Sequence, residues 1–435
     1  MAASSLEAIV IADSPSSRVK VAGLTVRERA IRVARRVGAQ RVLVMDDAKA
    51  DLAGWRGSST LPLLVIRADQ LVHTPLVAPL VDAMPAEGLA IAVGPDDDYA
   101  GALLAVGEAA SRVIAALAAG QEAQLVASAT ARIRHGEIAR HSVATPADRA
   151  AAHKLLYRIL IKPQDNAITR YLFRPISLPL TRCLVWTPIT PNQVSLLVAA
   201  IVAVGCWLTA HASMNMAIAG AVAILASQYV DCCDGEIARV KLLSSRFGAW
   251  IDTIVDELST VGYMVALGYH CHLAYGPHYF ERFGLGPLGF DPWLVIAAVG
   301  FVTYALSIYG IYYNIIVAVG SANSQDYVGK FEAVPGQRPN SMRLRPVAAT
   351  AMAPPREHPQ WVRWLATYLP YVVRRDFIAW GTVILAVLHL THVSFALQAL
   401  GGVVSAVIIT TDHVRLRRLR ASIVRAGHVL ESPAG

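Results

Sequence analysis

Six apolar stretches in the second half of the chain constrain its fold more than any other feature. They cover residues 192–211, 215–232, 247–268, 293–318, 376–391 and 394–411. Each is near the ~20 residues that a helix needs to cross a bilayer, although the last two are short. The whole chain is 55% hydrophobic and only 16% charged, whereas a soluble domain has about 25% charged residues. The composition excludes a wholly soluble enzyme and predicts a polytopic α-helical membrane domain with six transmembrane helices; fewer spans with some buried core helices is the alternative.

The charges of the predicted loops indicate an orientation. The loops after the second and fourth stretches, and the tail after the sixth, are rich in Lys and Arg, while the alternate loops carry almost none besides Arg282. Basic loops remain on the cytoplasmic side of a membrane. We therefore expect a multi-pass protein of the cell (inner) membrane with both termini in the cytoplasm. The first twenty residues lack a basic segment followed by an apolar core, so we expect no secretory signal peptide.

Short buried strands predict an α/β domain before the membrane region. Residues 7–12, 41–45, 61–66 and 89–93 are apolar runs of strand length. Between the first two runs we predict a helix that Thr25 caps, with Glu28 as its capping-box partner and Gly38 after its end. Alternation of strand and helix favours a parallel sheet.

An amphipathic segment connects this domain to the membrane region. Leu172, Phe173, Ile176 and Leu180 recur at helical spacing among arginines, which predicts a helix on the cytoplasmic membrane surface, although a packed soluble helix fits the pattern equally. We divide the chain into the α/β domain, a linker with the juxtamembrane helix, the membrane domain and a basic cytoplasmic tail. Their ranges are 1–130, 131–185, 186–415 and 416–435.

Four aspartates near the second predicted loop carry the chemistry. Asp231 and Asp234 share one face at the cytoplasmic end of the second helix, and Asp252 and Asp256 share one face of the third. A helical hairpin brings the two faces together, where unneutralised carboxylates repel one another. Divalent cations remove this conflict, and hard oxygen ligands select Mg²⁺, Mn²⁺ or Ca²⁺ over zinc. Two ions that share carboxylates can hold a phosphoryl group between attacking and leaving oxygens, so we expect two Mg²⁺ or Mn²⁺ ions.

The same segment resembles the signature of the CDP-alcohol phosphotransferase family. The pattern D-x2-D-G-x2-A-R-x8-G-x3-D-x3-D matches residues 231–256 at every fixed position, and Thr190-Pro191-Asn192 opens the first span as in similar sequences. The resemblance implies that a CDP-alcohol binds at the cytoplasmic face and that an acceptor hydroxyl, on a lipid or a polyol, displaces CMP. It implies the metal ligands Asp231, Asp234, Asp252 and Asp256, with Asp256 also the general base, and the nucleotide-site residues Gly235, Ala238, Arg239, Gly248 and Asn192. It also suggests a homodimer in contact with membrane lipid, and we expect no nucleic-acid partner.

A fused N-terminal domain narrows the resemblance further. Val21 to Arg29 resembles the segment that follows the nucleotide loop of sugar-phosphate cytidylyltransferases. This fused domain, together with the motif variant at residues 234–239 and 247–252, looks like the di-myo-inositol phosphate phosphate synthase branch. That family has a glycine-rich loop after the first strand, whereas residues 12–20 contain no glycine. Lys20 and Asp69 could still meet a phosphate or a metal. We interpret residues 1–130 as a degenerate nucleotidyltransferase-like domain with a regulatory or structural role.

The acceptor is harder to predict. Many relatives that use a phosphorylated acceptor carry a basic residue after the last aspartate, where this chain has Glu257. Four other basic residues could hold an acceptor phosphate: Lys241, Arg246, Arg374 and Arg375. Two other functions stay open, namely a bifunctional enzyme whose N-terminal domain also makes the CDP-alcohol, and a cation transporter that uses the intramembrane carboxylates.

Overall fold

The protein divides into two compact units. The computed structural model describes residues 5–46, 51–161, 167–284, 286, 288–321, 326–347, 359–361 and 375–432. The first unit comprises residues 1–165, 178–189 and 235–243, and the second comprises residues 166–177, 190–234 and 244–435.

A six-stranded mixed sheet forms the centre of the first unit. Its strands are β1 (Leu6–Ile11), β4 (Ala39–Met45), β5 (Leu63–Arg67), β7 (Gly88–Val93), β8 (Tyr99–Val106) and β9 (Ala131–Arg134), in the order β4-β1-β5-β8-β7-β9. The four predicted strands are confirmed to within two residues. The predicted parallel pairing is confirmed for β1 with β4 and with β5. The sheet as a whole is mixed and not parallel, because β8 runs antiparallel to both β5 and β7. The turn Gly94–Asp98 between β7 and β8 is too short for the crossover that a parallel pair needs.

Shorter elements complete this unit. Two-residue strands pair as β2 (Lys20–Val21) with β3 (Leu24–Thr25), and β6 (Leu71–Val72) with β10 (Arg140–His141). The helices are α1 (Val26–Arg36), α2 (Leu52–Arg56), α3 (Ala78–Asp82), α4 (Glu108–Ala118), α5 (Glu122–Ala127) and α6 (Pro146–Arg158). Thr25 caps α1 as predicted, because its hydroxyl accepts from the Glu28 amide at 3.1 Å. The Glu28 carboxylate pairs with Arg32 at 2.5 Å, one turn along the same helix.

Long helices make up most of the rest of the chain. They are α7 (Arg174–Leu184), α8 (Pro191–Thr209), α9 (Met214–Val240), α10 (Arg246–Tyr275), α11 (Pro292–Asn314), α12 (Arg375–Val387) and α13 (Thr391–Arg425). Within the described residues, four of these are long and apolar enough to span a bilayer: α8, α9, α11 with its π-helical continuation to Val319, and α13.

The other two predicted spans also form helices, but α10 is less apolar and α12 is shorter than the four candidate spans. Acidic residues near the start of α10 and His270 and His272 near its end lower its mean hydropathy. Helix α12 has 13 residues, about 20 Å of helix, against the ~30 Å of a hydrocarbon core. Membrane insertion of α10 and α12 therefore remains a prediction.

The juxtamembrane segment is helical, as its pattern predicts. A π-helical turn, Thr169–Phe173, leads directly into α7. Phe173 is buried and stacks on Tyr229 of α9 with ring centroids 4.6 Å apart, while Leu172 and Ile176 are exposed. The exposed pair gives this segment the apolar face that a membrane-surface helix requires.

A small sheet was not predicted. Strands β11 (Phe331–Pro335) and β12 (Ser341–Pro346) form a hairpin, and β13 (Val429–Leu430) pairs with β12 in parallel. The Glu431 carboxylate accepts from the backbone amides of Gln337 and Arg338, at 2.7 and 3.0 Å, and so closes the turn of the hairpin.

Candidate metal centre

Three of the four motif aspartates meet between two helices. Asp231 lies on α9, and Asp252 and Asp256 lie one turn apart on α10. One carboxylate oxygen from each lies within 4.8 Å of the other two. The i, i+4 spacing on α10 places its two carboxylates on the face that meets α9. The predicted convergence of these three residues is thus confirmed.

The fourth aspartate is held by a residue that the sequence did not single out. Asp234 is buried, and its Oδ2 accepts a hydrogen bond of 2.7 Å from the buried hydroxyl of Ser195 on α8. A hydrogen bond to a charged acceptor is stronger than one between neutral groups, so Ser195 fixes the carboxylate orientation. Ser195 stands three residues after Asn192, on the same face of the first turn of α8. This spacing beside a predicted site residue is the signal that could have identified it.

A guanidinium already occupies the edge of the carboxylate cluster. Arg375, the first residue of α12, donates from Nη2 to Asp256 Oδ2 at 2.5 Å. Its position shows that the cluster attracts a cation. Among the described residues, the three clustered carboxylates outnumber the one guanidinium that contacts Asp256, and all three offer carboxylate oxygens as donors. This donor set fits Mg²⁺ or Mn²⁺, which favour hard oxygen ligands.

Two of the predicted nucleotide-site residues are close together. A Cβ added to Gly248 would lie 3.0 Å from Asn192 Oδ1 and 3.1 Å from Ser245 Oγ, which is tighter than ordinary side-chain contact. Glycine at this position therefore lets the amide of Asn192 approach the first turn of α10. Ser245 caps that turn by accepting from the Gly248 amide at 2.9 Å. The other three, Gly235, Ala238 and Arg239, lie in the last turns of α9.

The candidates for an acceptor-phosphate site have different surroundings. Lys241 is buried, and its ammonium donates to the carbonyls of Thr187 and Ile189 at 2.6 and 3.1 Å. Two of its three N–H groups are thereby used within the protein, and burial, reinforced by nearby Arg32, lowers its pKa. Arg375 contacts Asp256, as described above. Arg246 is the first residue of α10, and Arg374 lies outside the described residues.

Glu257, next to Asp256, is held by two tyrosines of α11. Tyr304 donates to Glu257 Oε2 at 2.5 Å and Tyr312 donates to Oε1 at 3.4 Å. Trp250, on α10, stacks on Tyr312 with ring centroids 5.8 Å apart. The tyrosines satisfy both carboxylate oxygens of a half-buried acid, which explains how Glu257 is accommodated between α10 and α11.

Comparison with known proteins finds a family match that includes the aspartate cluster. The sequence model of the CDP-alcohol phosphatidyltransferase family matches residues 188–372. Three curated proteins named bifunctional IPC transferase and DIPP synthase are similar over shorter stretches. The protein of Aquifex aeolicus is 32% identical over 129 residues, which is 29% of each chain. That of Rubrobacter xylanophilus is 37% identical over 115 residues, or 26% of each chain. That of Thermococcus kodakarensis is 30% identical over 128 residues, 29% of this chain and 28% of its own. The similarity thus spans less than a third of these relatives' length.

Proposed function

We propose that the chain is a member of the CDP-alcohol phosphatidyltransferase family, whose sequence model matches residues 188–372, and that it transfers a phosphoalcohol group from a CDP-alcohol to a hydroxyl acceptor and releases CMP. The meeting of Asp231, Asp252 and Asp256 between two helices is the observation that carries the proposal. Carboxylates that converge from two helices can hold two metal ions against a reacting phosphate.

The proposed metal ligands are Asp231, Asp234, Asp252 and Asp256. When bound, two Mg²⁺ or Mn²⁺ ions would neutralise these carboxylates and stabilise charge on the donor's pyrophosphate. The protein contributes the fixed geometry, in which Ser195 orients Asp234 and the helical spacing orients the α10 pair. Gly235, Ala238, Arg239, Gly248 and Asn192 remain the proposed nucleotide-site residues.

Asp256 is the proposed general base. The acceptor oxygen forms a bond to the β-phosphorus of the donor, the bond from that phosphorus to the bridging oxygen breaks, and CMP leaves with the bridging oxygen. The proton of the acceptor hydroxyl goes to a carboxylate oxygen of Asp256. Arg375 contacts only Oδ2 of Asp256, so Oδ1 can accept this proton, and a substrate phosphate offers Arg375 another anion.

CDP-inositol is the first donor to test, and CDP-diacylglycerol is the alternative. The names of the three relatives and the resemblance to the di-myo-inositol phosphate phosphate synthase branch support the inositol donor. The resemblance also supports a homodimer, and the loop charges support six spans of the inner membrane with both termini in the cytoplasm.

We propose that the N-terminal domain is regulatory or structural. Residues 12–20 contain no glycine, and Pro15–Arg18 form a 3₁₀ turn where a nucleotide loop would have to approach phosphate closely. Asp69, the candidate metal ligand of this domain, is paired with Arg67 at 3.0 Å. Within the described residues, Asp69 also belongs to no group of three or more acidic, histidine or cysteine side chains that could hold a metal ion. These observations favour the single activity over the bifunctional alternative.

CMP release by the full chain in detergent with Mg²⁺ tests the proposal. CDP-inositol and CDP-diacylglycerol are supplied separately, each with lipid, polyol and polyol-phosphate acceptors. We expect CMP from the wild type with one donor class and a loss of about 10²–10⁴-fold for Asp256→Asn. Asp326→Asn, an exposed aspartate outside the motif, is the matched control and should retain wild-type activity.

Failure can take two forms. Tight, metal-dependent CDP binding without CMP release would keep the family site and reject both donors. Absence of any CDP binding would refute the transferase proposal and would favour cation transport, which a metal-flux measurement in proteoliposomes then tests.

A further inference from the structure

A groove with an apolar floor and a basic end runs between α11 and α13. Its volume is about 710 Å³, and Thr303 and Leu306 of α11 line one side. The rest of the lining comes from α13, beginning at Val403 and ending at Arg418. Leu306 is 51% exposed and Val407 is 62% exposed. The groove is therefore open along its length, within helices that are long enough to span a bilayer.

The dimensions of the groove match one leaflet. From Val403 to Val414 its α13 side is formed by Val, Ala and Thr residues, a helical length of about 16 Å. Half of a bilayer's hydrocarbon core is about 15 Å. Arg415 and Arg418 follow immediately, at the depth where a phospholipid carries its phosphate. Helix α13 continues for two more turns to Arg425, so this end of the groove lies where the helix leaves the apolar region.

The two arginines can still bind an anion. Arg415 contacts Asp412 at 3.4 Å and its side chain is 62% exposed. Asp412 also accepts from Tyr327 at 3.0 Å, so this carboxylate is shared between two donors. Arg418 is exposed and lines the same end. A planar guanidinium with free N–H groups is well suited to phosphate oxygens.

The charge argues for a lipid rather than a second copy of the chain. A dimer built on this groove, with its two-fold axis along the membrane normal, would hold Arg415 and Arg418 of both copies at the same depth in one interface, where like charges repel. An anionic phospholipid supplies an acyl chain for the apolar part and a negative charge for the basic end. We propose that the groove between α11 and α13 binds one anionic phospholipid, with its acyl chain along α13 and its headgroup phosphate at Arg415 and Arg418.

Native mass spectrometry of the full chain in detergent tests this site, with phosphatidylglycerol and phosphatidylcholine of identical acyl chains as probes. We expect the wild type to bind phosphatidylglycerol more tightly. Arg418→Gln should weaken that binding roughly fivefold, because it removes one contact between an arginine and the lipid phosphate. The double variant Arg415→Gln, Arg418→Gln removes two such contacts and should weaken the binding about 30-fold. The matched control, Arg425→Gln, removes an exposed arginine of the same helix outside the groove and should leave the affinity unchanged.

A second variant tests the apolar part without changing charge. Val407→Trp fills the groove at an exposed position and should weaken both lipids, while thermal unfolding in lipid-free detergent stays at the wild-type temperature. Equal binding of the two lipids by the wild type would overturn the proposal. So would equal effects of Arg418→Gln and Arg425→Gln, or wild-type lipid affinity in Val407→Trp. Because lipid binding is measured directly, the result does not depend on the proposed transferase activity.

Discussion

Replacing Ser195 with alanine tests whether the orientation of Asp234 controls metal binding. The Ser195 hydroxyl donates to Asp234 Oδ2 at 2.7 Å, and both residues are buried, with 3% and 7% exposure. Water therefore has little access with which to replace the missing donor. Alanine removes only the hydroxyl, so the packing of α8 changes little.

The hydrogen bond sets the size of the expected effect. A buried hydrogen bond to a charged group contributes about 1.5–3 kcal/mol. Without the hydrogen bond, the orientation of Asp234 that binds metal loses this free energy. The Mg²⁺ concentration for half-maximal CMP release should then rise roughly 10- to 150-fold. Maximal CMP release at saturating Mg²⁺ should fall much less, because the proposed general base, Asp256, is unchanged.

The neighbouring helix offers a matched control. Ser227 on α9 is fully buried, and its hydroxyl donates to the carbonyl of Ile224 at 2.7 Å, within its own helix. Ser227→Ala therefore removes the same atom from a similar environment without touching a carboxylate. Mg²⁺ titrations of CMP release and of thermal stabilisation should separate the two variants, and Ser195→Thr should restore part of the affinity. Equal Mg²⁺ requirements in Ser195→Ala and Ser227→Ala would refute the reasoning.

Three other predictions concern charge. Arg375→Gln removes the cation that contacts Asp256 at 2.5 Å and that would compete with Mg²⁺ for this carboxylate. In a thermal-shift titration, half-maximal stabilisation by Mg²⁺ should therefore need a concentration about fivefold lower, which corresponds to about 1 kcal/mol for a partly exposed pair. An unchanged or higher Mg²⁺ requirement would contradict this competition. Chelation of divalent ions should abolish CMP release and leave the helical circular dichroism unchanged, and Mg²⁺ or Mn²⁺ should restore activity; activity that survives chelation would contradict the two-metal proposal. Burial is the main cause that lowers the pKa of His73 to about 4, and the positive charges of Arg29 and Arg36 lower it further. The folded domain therefore favours the neutral imidazole. Up to about 3 kcal/mol of folding stability, present above pH 6.5, should be lost as pH falls towards 4. Hydrogen exchange of residues 63–72, corrected for its intrinsic pH dependence, measures this loss, and a loss of equal size in His73→Gln would refute the assignment.

The first unit shows how far local sequence patterns determine a fold. Apolar runs predicted β1, β4, β5 and β7 to within two residues, because β1, β5 and β7 are almost entirely buried and the apolar second half of β4 is at least half-buried. Strand β8, Tyr99–Val106, is equally buried but follows β7 after only five residues. An apolar run of this kind does not reveal its direction, and the short turn after Gly94 was the signal that it pairs antiparallel. Strand β9, Ala131–Arg134, was missed because it lies at the edge of the sheet, where two exposed arginines alternate with its two half-buried apolar residues.

The membrane region shows a different limit. Helical periodicity brought Asp231, Asp252 and Asp256 together correctly, because residues four apart on a helix always share a face. Helical spacing beside Asn192 could have singled out Ser195, and Arg375 was already a candidate, but which aspartate each of them contacts could not be predicted in this way. Ser195 is 39 residues from Asp234, and Arg375 is 119 residues from Asp256. Such contacts depend on how helices pack, which a single sequence does not specify.

These two distant contacts make the carboxylate cluster asymmetric. Asp234 is held by a neutral hydroxyl that cannot leave the buried site, whereas Asp256 is held by a cation at the partly exposed start of α12. A neutral donor leaves the negative charge of Asp234 in place for a metal ion, but a guanidinium competes for the same charge. We therefore expect metal binding to begin at the Asp234 side, and Asp256 to become fully available when Arg375 leaves its Oδ2. A substrate phosphate that attracts Arg375 would release Asp256 at the moment when a base is needed, so donor binding and activation of the acceptor would be coupled through this one arginine.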